Sequence, residues 1–326
     1  MTLALGAALV ALTAITLYAV FGGADFGGGV WDLLATGPRK QAQRDAITHA
    51  IGPVWEANHV WVIFAIVVLF TCFPPAFSDI ATELNAPLSF ALVGIVMRGA
   101  AFVFRNHTDE APHFAHFWTL IFGVASLLAP FWLGDAIGGL ATGDYAWTSP
   151  FAFSVGVFAI VVCAQMAAVF LAKEVYDDQE LRRDFRRRAV RATFAVWVAG
   201  AISGLIARQS EPRLFAALLT PTAFIAIGVA MALGLGVAYA LHAHRNGWAR
   251  TLVGLEALAI LVGWFGAQAP ALVPQHYTLA NAAASDAMLE AFLIASAIGA
   301  LFLIPSLIFL FTVFKGPNVK PVSSSQ

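Results

Sequence analysis

Two short stretches of this sequence set carboxylates among apolar residues. Asp25 and Asp32 stand in Phe21-Gly-Gly-Ala-Asp-Phe-Gly-Gly-Gly-Val-Trp-Asp32, after an apolar run from Leu3 to Gly22. Glu56 and His59 stand in Ile51-Gly-Pro-Val-Trp-Glu-Ala-Asn-His-Val-Trp61, at the start of the next run. Arg98 lies inside a third, in Val96-Met-Arg-Gly-Ala-Ala-Phe-Val-Phe-Arg105. An ionisable group within a membrane span is costly, so each of these is a functional hypothesis by default. Carboxylates and imidazoles have pKa values that surroundings tune towards neutrality, and with water they form proton relays. Glu56 and His59 are i and i+3, so on a helix they share a face, with Trp55 alongside. The five glycines around Asp25 (Gly22, Gly23, Gly27, Gly28 and Gly29) permit either a broken helix or close approach of a neighbour. The competing reading is a buried ion pair that only sets helix register.

The elements that must position these groups are long apolar blocks. Of 326 residues, 60 % are hydrophobic and 11 % charged, and the mean hydropathy is +0.79. A soluble domain is nearer half apolar and a quarter charged. The blocks run Leu3–Gly22, Val54–Pro74, Ile80–Phe104, His113–Leu133, Ser149–Ala172, Val190–Arg208, Leu214–Leu241, Thr251–Pro270 and Met288–Phe314. Crossing a hydrocarbon core takes about 20 residues, and in lipid every backbone polar group needs an internal partner, so blocks this long are helices. The alternating ten-residue strands of a transmembrane barrel are not visible. The expected fold is all-α: a polytopic membrane bundle of about nine helices, forming one domain over 1–316 with a short polar tail at 317–326. The first block lacks a basic n-region and a small-x-small cleavage site, so it reads as a span and not a leader.

Lysine and arginine set the expected orientation. Odd-numbered loops and the C-terminal tail hold 15 of them, even-numbered loops hold Arg208 and Arg213, and Arg98 lies inside the third block. Positive charge favours the cytoplasmic side, which puts the N-terminus outside and the C-terminus inside. Asp25 then lies near the cytoplasmic end of the first helix, Glu56 near the cytoplasmic start of the second, and Arg98 about two turns before the third exits. Arg98 could serve both acids. The charged stretch from Lys173 to Arg191 reads as a solvated cytoplasmic helix touching lipid headgroups.

Other polar residues carry weaker expectations. Asp79 and Glu83 read as interfacial, and Asp135 and Asp144 as outer-surface residues. Asp286 and Glu290 begin the last block. Glu256 is either a second intramembrane acid or a snorkelling end residue. His107, His113 and His116 cluster where the fourth helix starts; the i, i+3 pair could ligate a metal, but an interfacial polar patch is the better reading. His242 and His244 face different sides. Cys72 and Cys163 suggest neither a disulfide framework nor a metal site. A net charge of −1 gives no signal for nucleic acid. Within spans only His59 could ligate haem, and a haem needs ligands at matched depth on facing helices, so no cofactor and no metal is expected in this chain.

The three quoted segments, in that order and spacing, resemble the first three helices of the cytochrome bd-type terminal oxidase subunit II family. That family shows a Gly-rich Asp motif, a Gly-Pro-x-Trp-Asp/Glu-x-Asn-x-Val-Trp motif, and an Arg followed by Phe-x-x-Arg. Trp55, Asn58, Trp61 and Asp32 belong to these motifs. Weaker likeness continues through Phe170-Leu-Ala-Lys173 with Arg188-Ala189, and through Leu279-Ala-Asn-Ala with Ser285-Asp286. The resemblance implies a haem-free subunit of a quinol:O2 oxidoreductase in the bacterial inner membrane. It would form a heterodimer with a subunit I that carries the b- and d-type haems and the quinol site; bound quinone or lipid and small accessory subunits are further expectations. By position, Asp25 and Glu56 look like the family's proton-path acids and Arg98 like its helix arginine, with His59 as a further proton-path candidate. Glu56 stands where many members have Asp, and the Gly27–Gly29 run resembles a divergent branch. Two other readings stay open: a secondary transporter or proton channel using Asp25 and Glu56 to bind a coupling ion, and a purely structural subunit in which no single acid governs rate.

Overall fold

The computed structural model describes residues 2–52, 55–105, 112–175 and 178–315, without the side chains of 112, 311, 314 and 315. The elements are α1 (Thr2–Leu33), α2 (Lys40–Ile51), α3 (Trp55–Asn58), α4 (Val60–Cys72), α5 (Pro74–Glu83), α6 (Asn85–Arg105), α7 (Pro112–Thr142) and α8 (Pro150–Glu174). Then come α9 (Gln179–Ser210), α10 (Pro212–Leu218), α11 (Pro221–His242), α12 (Asn246–Gln268), a small antiparallel hairpin of β1 (Ala271–Val273) and β2 (Tyr277–Thr278), and α13 (Asp286–Lys315). Among the described residues nine helical stretches are long and apolar enough to cross a membrane: α1, α3 with α4, α6, α7, α8, α9, α11, α12 and α13. The fold is thus an all-α multi-pass bundle, as expected; the expected tail at 317–326 lies outside the described residues.

Local chemistry sets several helix starts. Proline opens α5, α8, α10 and α11, where its fixed φ suits the helix and its missing N–H is not needed. Ser149 caps α8 by accepting from Ala152 N, and Asp178 caps α9 by accepting from Leu181 N. Two short amphipathic pieces depart from the expected blocks: α2 lies where the sequence suggested a connection, and α5 takes in the expected start of the third block at Ile80, so the third span begins at Asn85.

The axis of the bundle is α1, which packs against α4, α7, α8 and α12. It does not end at Gly22 but runs on as one helix to Leu33, so Asp25 and Asp32 lie inside it. The glycines explain why. A Cβ on Gly27 would stand 1.9 Å from the Cys163 carbonyl oxygen, and one on Gly29 would stand 2.0 Å from Ser126 Oγ. Of the two uses of glycine, close approach is the one realised: the helix stays intact and neighbours seat against its bare backbone.

The last turns of α1 and α6 meet at one end of the bundle. Asp32, fully buried, takes ion pairs from Arg105 Nη1 at 2.8 Å and Arg44 Nε at 3.4 Å, while Arg105 Nη2 donates to Thr48 Oγ1 at 2.7 Å. Nearby, Arg39 binds Asp184 with two nitrogens, at 2.8 and 2.9 Å. Glu174, ending α8, pairs with Arg250 of α12 at 3.2 Å. This end is rich in arginine and is called the basic end below. At the periphery, α13 contacts α1 and α4 yet buries none of its most apolar window.

Candidate functional site

The buried acid–base cluster forms where α1, the α3–α4 junction and α6 cross. Asp25 is buried at 4 % exposure, and Asn58 Nδ2 donates to its Oδ2 at 2.5 Å. Asn58 also reaches the carbonyl oxygen of Phe21, one turn earlier on α1. The residue expected only to support a motif therefore fixes the carboxylate's orientation. The helix interrupts at His59 between α3 and α4. This turns the imidazole into an aromatic box: its ring centroid lies 5.9 Å from Tyr18, 6.0 Å from Phe26 and 6.5 Å from Trp55. Its Nδ1 meets the Tyr18 hydroxyl at 3.4 Å.

Arg98 is fully buried. No guanidinium nitrogen finds a hydrogen-bond partner among the described residues, and the cation lies between the rings of Phe26 and Phe122, 5.4 and 5.3 Å from their centroids. Aromatic faces attract a cation through their quadrupole but do not replace a counter-charge. Asp25 is the carboxylate in electrostatic reach of it. Beside it, a Cβ on Gly99 would come within 3.1 Å of Trp55 Cζ3, so this glycine lets the indole lie against α6. Trp61 packs on the same core with Tyr18 and Phe26.

Glu56 stands apart. Asn58, two residues on, bonds Asp25, so the two acids share a depth. Yet the Glu56 side chain is exposed, and no ion pair joins it to Arg98 among the described residues. It heads an outward stripe with Val60, Ile63, Val67 and Phe70, all exposed and spaced at three or four residues. Arg98 therefore serves Asp25 and not both acids.

Asp25 opens on a cavity of about 40 Å³ whose wall also includes Asn58, Gly28, Ile51, Glu174 and Arg250. A water needs some 10–15 Å³ by this measure, so the space takes a few waters. Its polar far wall is the Glu174–Arg250 ion pair of the basic end.

Elsewhere, Asp135 is not at the surface. It is fully buried in α7, and neither carboxylate oxygen has a hydrogen-bond partner among the described residues. The apolar block was expected to end at Leu133, but α7 continues to Thr142 and carries Asp135 inside. Glu256 proves to be an intramembrane acid, 2 % exposed in mid-α12, accepting from Gln165 Nε2 at 2.8 Å. Asp144 is exposed, and so are His113 and His116; His107 lies outside the described residues. Among the described residues no group of three or more histidine, cysteine, aspartate or glutamate side chains is placed to hold a metal. Tyr18, Glu174 and Arg250 escaped the sequence reading as site residues. The signal for Tyr18 was its spacing of two helical turns before Asp25, on the same face.

Fold and site together define a multi-pass helical membrane protein with a buried acid–base cluster joined by a water-sized cavity to its basic end. The chain belongs to the cytochrome bd terminal oxidase subunit II family, whose profile matches residues 3–314. It is 26 % identical over 296 residues to the cytochrome bd ubiquinol oxidase subunit 2 of Bacillus subtilis (strain 168), covering 84 % of this chain and 85 % of that one. It is 23 % identical over 216 residues to the cytochrome bd-I ubiquinol oxidase subunit 2 of Escherichia coli (strain K12), covering 59 % and 56 %. A chain of the bd oxidase from Geobacillus thermodenitrificans shares the fold with a TM-score of 0.82 over 96 % of this chain and 99 % of that one, at 22 % identity. The family membership disfavours the transporter reading.

Proposed function

We propose that this chain is the haem-free subunit II of a quinol:O2 oxidoreductase and that it delivers protons from the cytoplasm to O2 reduction in a partner subunit. Reducing one O2 to two waters consumes four protons with the four electrons that two quinols supply. A catalytic centre buried in a bilayer therefore needs a polar path. The observation that carries the reading is the Asp25 carboxylate, fixed by Asn58 and opening on a cavity walled by Glu174 and Arg250. The basic end is then the cytoplasmic one, in keeping with the arginine-rich odd-numbered loops, and the N-terminus lies outside. The membrane is the bacterial inner membrane.

Glu56 supports the partner arrangement. A carboxylate heading an apolar, outward stripe is expensive against lipid and reasonable against protein. We place the haem-carrying subunit I of the heterodimer over the α3–α4 stripe, with Glu56 as the group that hands protons across. The b- and d-type haems belong to that partner. In this chain His59 is boxed by aromatic rings, and the other described histidines lie at helix ends, on α2 or in connections. Small accessory subunits, bound quinone and lipid fit the remaining apolar surface.

The test is steady-state O2 consumption per haem in the purified complex carrying Glu56→Gln. The amide keeps size and hydrogen bonding but removes the titratable proton. Turnover is expected to fall by about 10²-fold or more, the scale of losing a positioned proton-transfer group, with haem content and assembly retained. Glu56→Asp is expected to be milder. A near-normal rate in the Gln variant would show that protons enter elsewhere.

A further inference from the structure

The basic end contains a second, larger recess that proton delivery does not use. It measures about 440 Å³ and lies between the end of α1, the start of α2 and the cytoplasmic half of α9. Its charged wall is Arg39, Asp184, Arg187, Arg188 and Arg191. Asp184 is spent on Arg39, which it binds through both oxygens. Arg187, Arg188 and Arg191 then remain on α9 at i, i+1 and i+4, with Arg191 one turn from each of the other two. Arg187 and Arg191 are exposed and form no ion pair among the described residues. Arg188 is held in place: Nη2 donates to Gln43 Oε1 at 2.6 Å, and the guanidinium lies 5.1 Å from the Trp31 ring and 5.5 Å from that of Phe185. Its Nη1 is buried without a hydrogen-bond partner among the described residues.

A positioned guanidinium with an unused buried nitrogen, flanked by two free arginines, matches an oxyanion that accepts several charge-assisted hydrogen bonds. The other wall tells which oxyanion. Trp31, near the end of α1, and the exposed Leu34 just beyond that end form an apolar wall beside the arginines. Tryptophan favours the depth of lipid headgroups, and basic recesses between helices on the cytoplasmic side suit phosphate-bearing headgroups. We propose that this recess is a specific site for an anionic glycerophospholipid. Its phosphate is bound by Arg187, Arg188 and Arg191, and its glycerol and first acyl carbons lie along Trp31 and Leu34. The site does not depend on the proton-delivery reading.

The experiment is native mass spectrometry of the intact purified complex after delipidation and titration with phosphatidylglycerol, with phosphatidylcholine and inorganic phosphate as separate probes. Phosphatidylglycerol is expected to bind at least tenfold more tightly than phosphatidylcholine, and millimolar phosphate is expected not to displace it. Arg187→Gln combined with Arg191→Gln is expected to weaken phosphatidylglycerol about tenfold or more, as loss of two interfacial cations implies. Phosphatidylcholine should be unaffected, and both residues are exposed, so haem content and thermal midpoint should hold. Should that pair fail to assemble, Arg191→Gln alone gives the same reading with a smaller shift. Equal binding of the two lipids, displacement by free phosphate, or unchanged phosphatidylglycerol binding in the variants would each overturn the proposal.

Discussion

The bundle holds two buried carboxylate–carboxamide pairs with very different surroundings. Asp25 accepts from Asn58 at 2.5 Å, and Glu256 accepts from Gln165 at 2.8 Å. Around Asp25 there is a buried cation in electrostatic reach, Arg98, and a cavity ending at the Glu174–Arg250 ion pair. Around Glu256 there is close packing: Gln165 turns on to Thr193 at 3.1 Å, and the carboxylate and the Trp197 indole both crowd Gly234. None of the cavities described here includes Glu256. The local chemistry of acid and amide is the same in both places. Access to water and a counter-charge is what differs, and those make an acid able to exchange protons. On the proposed reading Asp25 is the acid placed to exchange protons and Glu256 the one that packs.

The largest expected effect tests the counter-charge. Arg98→Ala leaves Asp25 buried without its cation, which in comparable sites costs about 3–5 kcal/mol. The yield of intact, haem-loaded complex on size exclusion should collapse. Adding Asp25→Asn to Arg98→Ala removes the stranded charge and should restore much of the yield while leaving turnover low, since coupled sites are not additive. Failure of the double variant to recover would mean that Arg98 acts through packing against Phe26 and Phe122.

Next in size is a contrast between two glycines. A Cβ on Gly27 would overlap the backbone carbonyl of Cys163, whereas one on Gly234 would press at 2.8 Å on Glu256 Oε1 and at 2.9 Å on Trp197 Nε1, both side-chain atoms. Backbone cannot yield without parting α1 from α8, so Gly27→Ala is expected to lower stability by about 3 kcal/mol, the upper end of overpacking. Gly234→Ala gains about 1 kcal/mol of helix propensity against a side-chain shift of similar size, and should come out near neutral. Thermal midpoints of the two complexes decide the matter; equal losses would mean that the Glu256 region is as rigidly packed as the α1–α8 contact.

How much of this the sequence disclosed follows from what apolar blocks encode. Block length carries the nine spans, because lipid leaves the backbone no alternative to helix. The common depth of Asp25, Glu56 and Arg98 was legible too, since depth follows from counting residues along each block. Rotation was not. A block apolar all round has no polar face to show which side looks inward, so nothing revealed that Glu56 faces out while Arg98 faces in. Helix ends were misjudged where a motif has two physical meanings, as with the glycines that carry α1 through Asp32. Asp135 reads as a surface residue in the sequence because a carboxylate beyond Leu133 resembles the end of a block. The Glu174–Arg250 pair joins helices 76 residues apart, and only the tertiary fold brings them to one cavity.

The smallest effect is the sharpest test of the comparison. Glu256→Gln replaces one carboxylate oxygen with an NH2 group of nearly equal size. The remaining oxygen can still accept from Gln165, whose second contact to Thr193 is untouched. The NH2 group takes the place of Oε1, on the side of Gly234 and the Trp197 indole nitrogen, which is itself a donor, so it gains little. Against that, a potential buried charge disappears, and replacing such a group with a neutral isostere is often neutral or mildly stabilising. The two terms nearly cancel, and stability should change by less than about 1 kcal/mol. The acid lines neither the Asp25 cavity nor the arginine-lined recess and forms no ion pair among the described residues, so on the proposed reading its proton has no route during turnover. O2 consumption per haem should therefore stay within about twofold of the parent complex, against the drop of about 10²-fold expected for Glu56→Gln. A severalfold loss with full haem content would place Glu256 on a second proton path and undo the contrast between the two pairs.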